Sequence, residues 1–474
     1  MTVTVEALRL PRIKPEHRAY RTVDGNVRIG SVIHGIGAEI ADPQGWVWTL
    51  VEAMDGTRGP GAVVDEVVRA HPDLPGEDAR QAMADLLAAG FVDDAGAAVP
   101  LPERERVRYS RGVPLLRWMD LAPRGNPWDA QLRLRRARVL LIGVGGTGGH
   151  AAQSLVASGV GRVHCVDPDV VELSNLNRQP LFRESDIGRP KVEAAVAALR
   201  AVNSDVTVTG ERREVRGPED LADLVAGPRD EDSDSLDPHL VAAPGDPGRG
   251  GLAPHSGSGA PDLDGLSPHF ATAPGDLDPG GLAQHSMSGA RDPDPSGPAA
   301  GPPDDARLPD PSAAVPGGGP RSSAYDLLVL AADRPDDIRR WANRVCLAAG
   351  LPWADAGYRG PLVTAGVYVP GRGACWECLR AGEAARRDLR LAPGQDPEVA
   401  SPRMPWNPAS AVTAGLSGGL LAHAALALLT GVPALEPGFR FGINLMLPGD
   451  PVLQRTPRHL DCAACGDRAG GVAE

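Results

Sequence analysis

The sequence predicts an α/β protein, a doubly wound and mostly parallel sheet, preceded by a winged-helix-like α+β domain and interrupted by a long disordered insertion. Three observations carry this. From Arg138 a strand, a glycine-rich turn and a helix follow in RVLLIGVGGTGGHAAQSLVASG, and a second strand, GRVHCVDPDVV, comes next. A hairpin signal and three helix-period segments fill the first hundred residues. Residues 228–323 lose the apolar spacing of a folded domain and are rich in Pro, Gly, Asp and Ser.

Residues 1–100 read as one unit. In YRTVDGNVRIG, Asp24-Gly25 supplies a turn between alternating side chains. Helical periodicity follows in WVWTLVEAM, AVVDEVVRA and ARQAMADLLAAG, where Gly90 offers a C-cap before a short terminal pair, GFVDDAGAAV, read as a wing. Many winged domains bind DNA. This unit carries 9 basic and 15 acidic side chains, which argues against a phosphate backbone as its ligand.

The α/β unit is expected over 101–227 and 324–474. A helix from Lys191 to about Asn203 continues it, and the pattern breaks near Gly227. Within the insertion PHLVAAPGDPGRGGLAPHSGSGA (238–260) recurs 30 residues later as PHFATAPGDLDPGGLAQHSMSGA (268–290), which reads as a recent duplication, with His239, His255, His269 and His285 as its passengers. Excising it joins LADLVAG to SSAYDLLVLAAD and restores a helix followed by a buried strand. The domain is interrupted and then resumes.

Gly143, Gly145, Gly146 and Gly148 form G-x-G-G-x-G between strand and helix, a turn whose backbone can approach a phosphate that the helix N-terminus stabilises. Asp167, at the end of the second strand, can accept hydrogen bonds from ribose hydroxyls. Together these imply a nucleotide. The run Ser174-Asn175-Leu176-Asn177-Arg178-Gln179 has no use in hydride transfer. Arg178, as a fork, and Lys191, as a point charge thirteen residues on, can converge on a polyphosphate chain. Lys14 and Lys191 are the only lysines among 48 basic residues, so each is read as a place where arginine does not substitute, the alternative being drift. Asp333 ends the strand YDLLVLAAD; it can hold Mg²⁺ on that chain, or cap the helix begun by RPDDIRRWAN.

Cys375-Trp-Glu-Cys378 and Cys462-Ala-Ala-Cys465 account for four of six cysteines. Two such pairs most simply build one tetrahedral zinc site tying the C-terminal tail to the domain, the alternative being two redox motifs. Cys165 and Cys346 fall in a strand and a helix and read as core residues.

These residues resemble the ThiF/MoeB/HesA family, the bacterial relatives of ubiquitin-activating enzymes, over roughly 260 residues once the insertion is removed. The resemblance implies a Rossmann-like activating-enzyme fold, a homodimer, and ATP-dependent adenylation of a carboxylate with Mg²⁺ and a structural Zn²⁺. By it, Asp167 takes the ribose, Asn175, Arg178 and Lys191 the phosphates, and Asp333 the Mg²⁺. Arg108-Tyr109-Ser110-Arg111 is similar to the family's RYxRQ element, with Gly112 in place of Gln, and implies that Arg111 reaches the nucleotide held by the partner subunit. The segment 379–410, where sulfur-transfer relatives carry a nucleophilic cysteine, has none, so the acyl-adenylate is expected to pass directly to a non-thiol acceptor. An N-terminal domain ahead of the RYxRQ element is similar to the peptide-modifying adenylating enzymes of the microcin C type, with a precursor peptide as substrate. Activation of a small ubiquitin-like sulfur-carrier protein is the alternative, and an inactive scaffold delivering a precursor peptide is a third.

Composition limits the remaining classes. The net charge is −13, but 229–320 alone holds 15 acidic residues against 4 arginines, leaving the remainder near neutral and without a basic footprint for nucleic acid. The N-terminus lacks the apolar core of a signal peptide, so the chain is expected to be cytoplasmic. The apolar run Ala411–Thr430 contains Ser417, Gly418, Gly419 and His423 and is read as a buried helix rather than a membrane span.

Overall fold

The computed structural model describes residues 3–31, 36–227, 323–386, 407–447 and 451–466. The repeat, its four histidines and most of the cysteine-free 379–410 segment lie outside these.

Near the N-terminus, β1 (Pro11–Ile13) is followed by β2 (Ala19–Arg21), β3 (Val27–Ser31) and β4 (Ile36–Ile40), which form a sheet of order β2-β3-β4. The turn expected at Asp24-Gly25 is present, with Gly25 at φ 84° and the Thr22 N–H donating to the Asn26 carbonyl at 2.9 Å. Helices α1 (Trp46–Ala53), α2 (Pro60–Ala70) and α3 (Gly76–Ala88) follow and close over Val27, Ile29, Leu50, Val63, Met83 and Leu87. The terminal pair read as a wing is not a hairpin. Only β5 (Val92–Asp94) forms there, and it pairs antiparallel with β1, Arg12 facing Asp93. Charge selects this partner: Arg12 donates to both Asp93 oxygens at 3.1 and 3.0 Å, while Asp94 accepts the Arg9, Leu10 and Gly96 amides. Isolated VDD has too little apolar surface to specify a strand by itself.

After α4 (Glu103–Tyr109), α5 (Gly112–Met119) and α6 (Asp129–Arg136) comes the α/β core: β6 (Arg138–Ile142), α7 (Gly146–Ala157), β7 (Arg162–Val166), α8 (Lys191–Val202), β8 (Thr207–Glu211), α9 (Pro218–Ala226), β9 (Leu327–Leu330), α10 (Ile338–Ala349), β10 (Trp353–Arg359), β11 (Leu362–Tyr368), α11 (Trp376–Arg386), α12 (Ala411–Thr430), β12 (Phe439–Asn444) and β13 (Pro451–Arg455). The sheet runs β13-β12-β11-β10-β9-β6-β7-β8; β10, β9, β6, β7 and β8 are parallel and the other three extend it antiparallel. Strands β6 and β9 are unbroken apolar runs because both faces are covered. Val139, Leu141, Leu327 and Val329 face a core shared with α7, α8 and α12; Leu140, Ile142, Leu328 and Leu330 face one shared with α9 and α10.

The insertion leaves this domain and returns to it at one point. The Ala324 N–H donates to the Val225 carbonyl at 3.1 Å, and a side chain on Gly227 would overlap the Ala324 methyl.

Among the described residues α12 is the one helix long and apolar enough to cross a membrane. It lies against α7, β10 and β11, with Leu421, Ala424 and Ala425 inside the core. Contact with α7 is close because α12 carries small residues there: Ser417 Oγ meets Thr147 Oγ1 at 2.6 Å, and a Cβ on Gly418 would overlap His150 and stand 2.6 Å from the Thr147 carbonyl. Gly418→Ala is therefore expected to cost about 1–3 kcal/mol in urea unfolding. Gly419→Ala, in open space on the exposed side, should instead be neutral or stabilise by up to about 1 kcal/mol.

Candidate functional site

Strand β6 lies between β9 and β7, so the chain reverses its direction of winding there, the place where the carboxyl ends of the strands in an open α/β sheet form a ligand crevice. The glycine turn fills its floor. Gly143 has φ 90°, and a Cβ there would stand 2.9 Å from the Ala332 amide nitrogen; one on Gly148 would overlap the Gly143 carbonyl oxygen. The backbone can therefore start α7 only with glycine at both positions, and the free amides of the first turn open on the crevice. Gly145 and Gly146 lie under the run after β7: a Cβ on Gly145 would stand 3.7 Å from Gln179 Nε2, and one on Gly146 would stand 3.4 Å from the Arg178 carbonyl.

Asp167 follows β7 and is buried, its two oxygens accepting the Val144 N–H at 2.8 Å and the Asp169 N–H at 3.0 Å. Burial pushes its pKa above the usual carboxylate range, against the pull of Lys191 and those two amides. Lys191 starts α8, is 7% exposed, and donates to Asp169 Oδ2 at 2.7 Å. Asp169 was not singled out from sequence. It is a largely exposed carboxylate holding the ammonium at the crevice, and an anionic ligand can replace it.

Asn175 is buried in a short 3₁₀ turn, Leu173–Asn175, where its Oδ1 accepts the Glu172 N–H at 3.0 Å. Arg178 donates to the Ser174 carbonyl at 2.7 Å and to Asn177 Oδ1 at 3.1 Å. Burial pushes the Tyr358 pKa up, Asp333 adds to this, and Arg178 opposes it, so Tyr358 lies near both. No local motif marks it.

Asp333 lies three residues past β9 with its side chain 58% exposed, and Oδ1 accepts from Arg339 Nη2 at 3.0 Å. It is not the helix cap: Asp337 holds the N-cap position of α10, without a side-chain cap bond. Asp333 Oδ2 has no hydrogen-bond partner among the described residues, and an exposed carboxylate oxygen suits a hard divalent cation that keeps waters and phosphate oxygens as its other ligands.

Arg111 is elsewhere. It is exposed at the start of α5, while its neighbour Tyr109 packs on Gly159 and accepts from Asn203 at 3.0 Å, beyond the C-terminal end of α7. Twelve residues of helix span roughly 18 Å, so Arg111 stands about a helix length from its own glycine turn.

The four cysteines expected to bind metal do converge. Their sulfurs lie within 4.8 Å of one another, with Cys375–Cys378 at 3.8, Cys375–Cys462 at 3.7 and Cys378–Cys465 at 3.6 Å. Disulfide sulfurs would lie at about 2 Å. Four thiolates at about 2.3 Å from zinc form a tetrahedron with edges of about 3.8 Å, so the cluster fits Zn²⁺. Asn343 Nδ2 at 3.6 Å and the His459 N–H at 3.4 Å donate to Cys375 and Cys378 sulfur. Elemental analysis should find about one zinc per chain, and Cys462→Ser should lower thermal stability, with metal-free protein of full stability as the contrary result.

A family profile described as the ThiF family matches residues 117–234 and 321–459. The molybdopterin-synthase adenylyltransferase of Escherichia coli K12 is 40% identical over 109 residues, 23% of this chain and 41% of that protein. The sulfur carrier protein ThiS adenylyltransferase of Bacillus subtilis is 48% identical over 84 residues, 17% of this chain and 25% of that protein. The chain thus spans less than half the length of these curated relatives. In fold it is similar to the crystal structure of E. coli MccB, with TM-score 0.62 and 19% identity over 97% of each chain, and to PaaA, with TM-score 0.54 and 18% identity over 93% of this chain and 99% of that one. Since the profile covers more than half of the chain and its two stretches carry the glycine turn, Asp167, Arg178, Lys191 and Asp333, the chain belongs to the ThiF family.

Proposed function

We propose that this chain adenylates the carboxylate of a peptide or small protein with ATP. The observation that carries the reading is the convergence on one crevice of the glycine turn, Asp167, Lys191, Arg178 and Asp333, from four separate segments. E. coli MccB has been crystallised with ATP and with MccA, and the curated relatives are adenylyltransferases.

In this reading Asp167 accepts from the ribose and the first-turn amides of α7 carry the phosphates. Arg178 and Lys191 neutralise them, Lys191 exchanging Asp169 for phosphate, with Asn175 bracing the run beside them. Mg²⁺ held at Asp333 would supply charge on the leaving pyrophosphate. The attacking carboxylate is ionised at neutral pH and needs no base, so catalysis is positioning and charge stabilisation. Arg111, too far from its own crevice, serves the nucleotide of a second copy in a homodimer.

Carboxylate-dependent exchange of pyrophosphate into ATP tests the site. Lys191→Ala and Asp333→Ala should each lose about 10²-fold or more, and unchanged rates in both would sink it. No thiol intermediate is expected: Cys165 and Cys346 are fully buried, the Cys165 thiol pushed up to about 12 and that of Cys346 higher. Cys165→Ala and Cys346→Ala should leave turnover nearly intact.

The substrate favoured is a precursor peptide held by residues 1–100, where β4 has no neighbour on its outer side among the described residues and could accept an added strand. Truncating these residues should weaken peptide affinity, read by titration of a labelled precursor, without altering ATP affinity. A sulfur-carrier substrate is the second reading, favoured by the two curated relatives; it predicts exchange with a carrier ending in Gly-Gly and no loss of it on truncation.

A further inference from the structure

We infer that Arg339 is the positioning residue of Asp333: it leaves one carboxylate oxygen for a divalent cation and makes that cation bind with polyphosphate rather than ahead of it. The inference rests on the reading of Asp333 given above.

Arg339 sits in the first turn of α10 with its guanidinium committed on three sides. Nε donates to Asp355 Oδ2 at 2.8 Å, and Nη2 donates to Asp333 Oδ1 at 3.0 Å and to the Ala356 carbonyl at 3.4 Å. Asp355 is 1% exposed and is held in turn by Arg440, at 3.0 and 2.7 Å, and by the Tyr368 hydroxyl at 3.3 Å. Arg339 therefore cannot follow Asp333 outward without abandoning a buried carboxylate. Glycine at 357 makes room for the pair, since a Cβ there would stand 3.3 Å from Arg339 Nη2 and 3.8 Å from Asp333 Oδ1. One turn further along the same face, Asn343 accepts the Trp376 N–H at 3.1 Å and donates to Cys375 sulfur, so α10 is braced against the cysteine cluster as well.

Two consequences follow from this geometry. Oδ1 is occupied, so a cation meets Asp333 through Oδ2 alone. The group also has no surplus charge, because Asp333 and Asp355 are matched by Arg339 and Arg440. A free divalent cation approaching Asp333 is opposed by a guanidinium 3.0 Å from the same carboxylate. A cation arriving on a triphosphate brings its own excess of negative charge.

The test is titration of Mn²⁺ alone into the full-length protein, with unbound Mn²⁺ read by its paramagnetic resonance signal. Arg339→Met should bind Mn²⁺ at least about tenfold more tightly than wild type, and the gain should vanish when Asp333→Asn is added. Arg339→Gln, which keeps a donor for Asp355 without the charge, should show the same gain if the Met variant fails to fold. Unchanged Mn²⁺ affinity in a folded charge-removed variant, or an equal gain in the Asp333→Asn background, overturns the inference. If pyrophosphate exchange is still lost in Asp333→Ala, either result leaves the proposed adenylation standing. Unchanged exchange in Asp333→Ala overturns the inference at its base, and the proposed adenylation site falls with it if Lys191→Ala is unchanged as well.

Discussion

The site depends on one contact between two pieces of backbone. Gly148, in the first turn of α7, lies so close to the Gly143 carbonyl that any side chain would overlap it, and Gly143 in turn presses against Ala331 and Ala332 at the end of β9. That contact sets how near the helix terminus comes to the strand ends. Because of it the α7 amides, the Asp167 carboxylate bound to the Val144 N–H, and the segment carrying Asp333 border the same space. A looser approach would leave the same residues in the sequence and no crevice between them.

Around this floor, charge is held in reserve by pairing. Lys191 waits on Asp169, Asp333 on Arg339, and Asp355 on two arginines. The two lysines share a property that explains their survival in an arginine-rich chain, since Lys14 is 1% and Lys191 7% exposed. A slender stem ending in a point charge fits where a planar fork would not. Lys14 Nζ donates to the Asp120 carbonyl at 2.6 Å; burial lowers its pKa, and Asp120 and Asp93 oppose that. Close by, Arg117 of α5 binds Glu16 at 2.6 Å, so a partly buried ion pair ties the first hundred residues to the helix that Arg111 precedes.

Much of this was legible because the signals are local. Unbroken runs such as VLLI and LLVL announced strands covered on both faces, the glycine spacing announced the turn, and two C-x-x-C pairs announced a cluster that the fold assembles across 87 residues. What sequence reading missed depends on tertiary placement. β5 is chosen by an ion pair spanning 81 residues rather than by its own three side chains. Asp169, Arg339 and Tyr358 belong to no spacing rule and acquire their places only when β7, α10 and β10 are brought together. The alternative of Asp333 as a helix cap was reasonable from RPDDIRRWAN, but a guanidinium anchored below claims that carboxylate instead.

The junction where Val225 and Gly227 meet Ala324 has a consequence for chain length. Its two ends are stitched together by the domain itself, so whatever chain is spliced between them closes a loop whose ends are already fixed, and doubling its length adds only about 0.6 kcal/mol of closure entropy. A thirty-residue repeat recurs within the stretch that these ends bracket, where added length costs little closure entropy. The repeat within 238–290 thus falls where the domain itself holds both ends of the intervening chain together, so its length is set by something other than the register of the sheet.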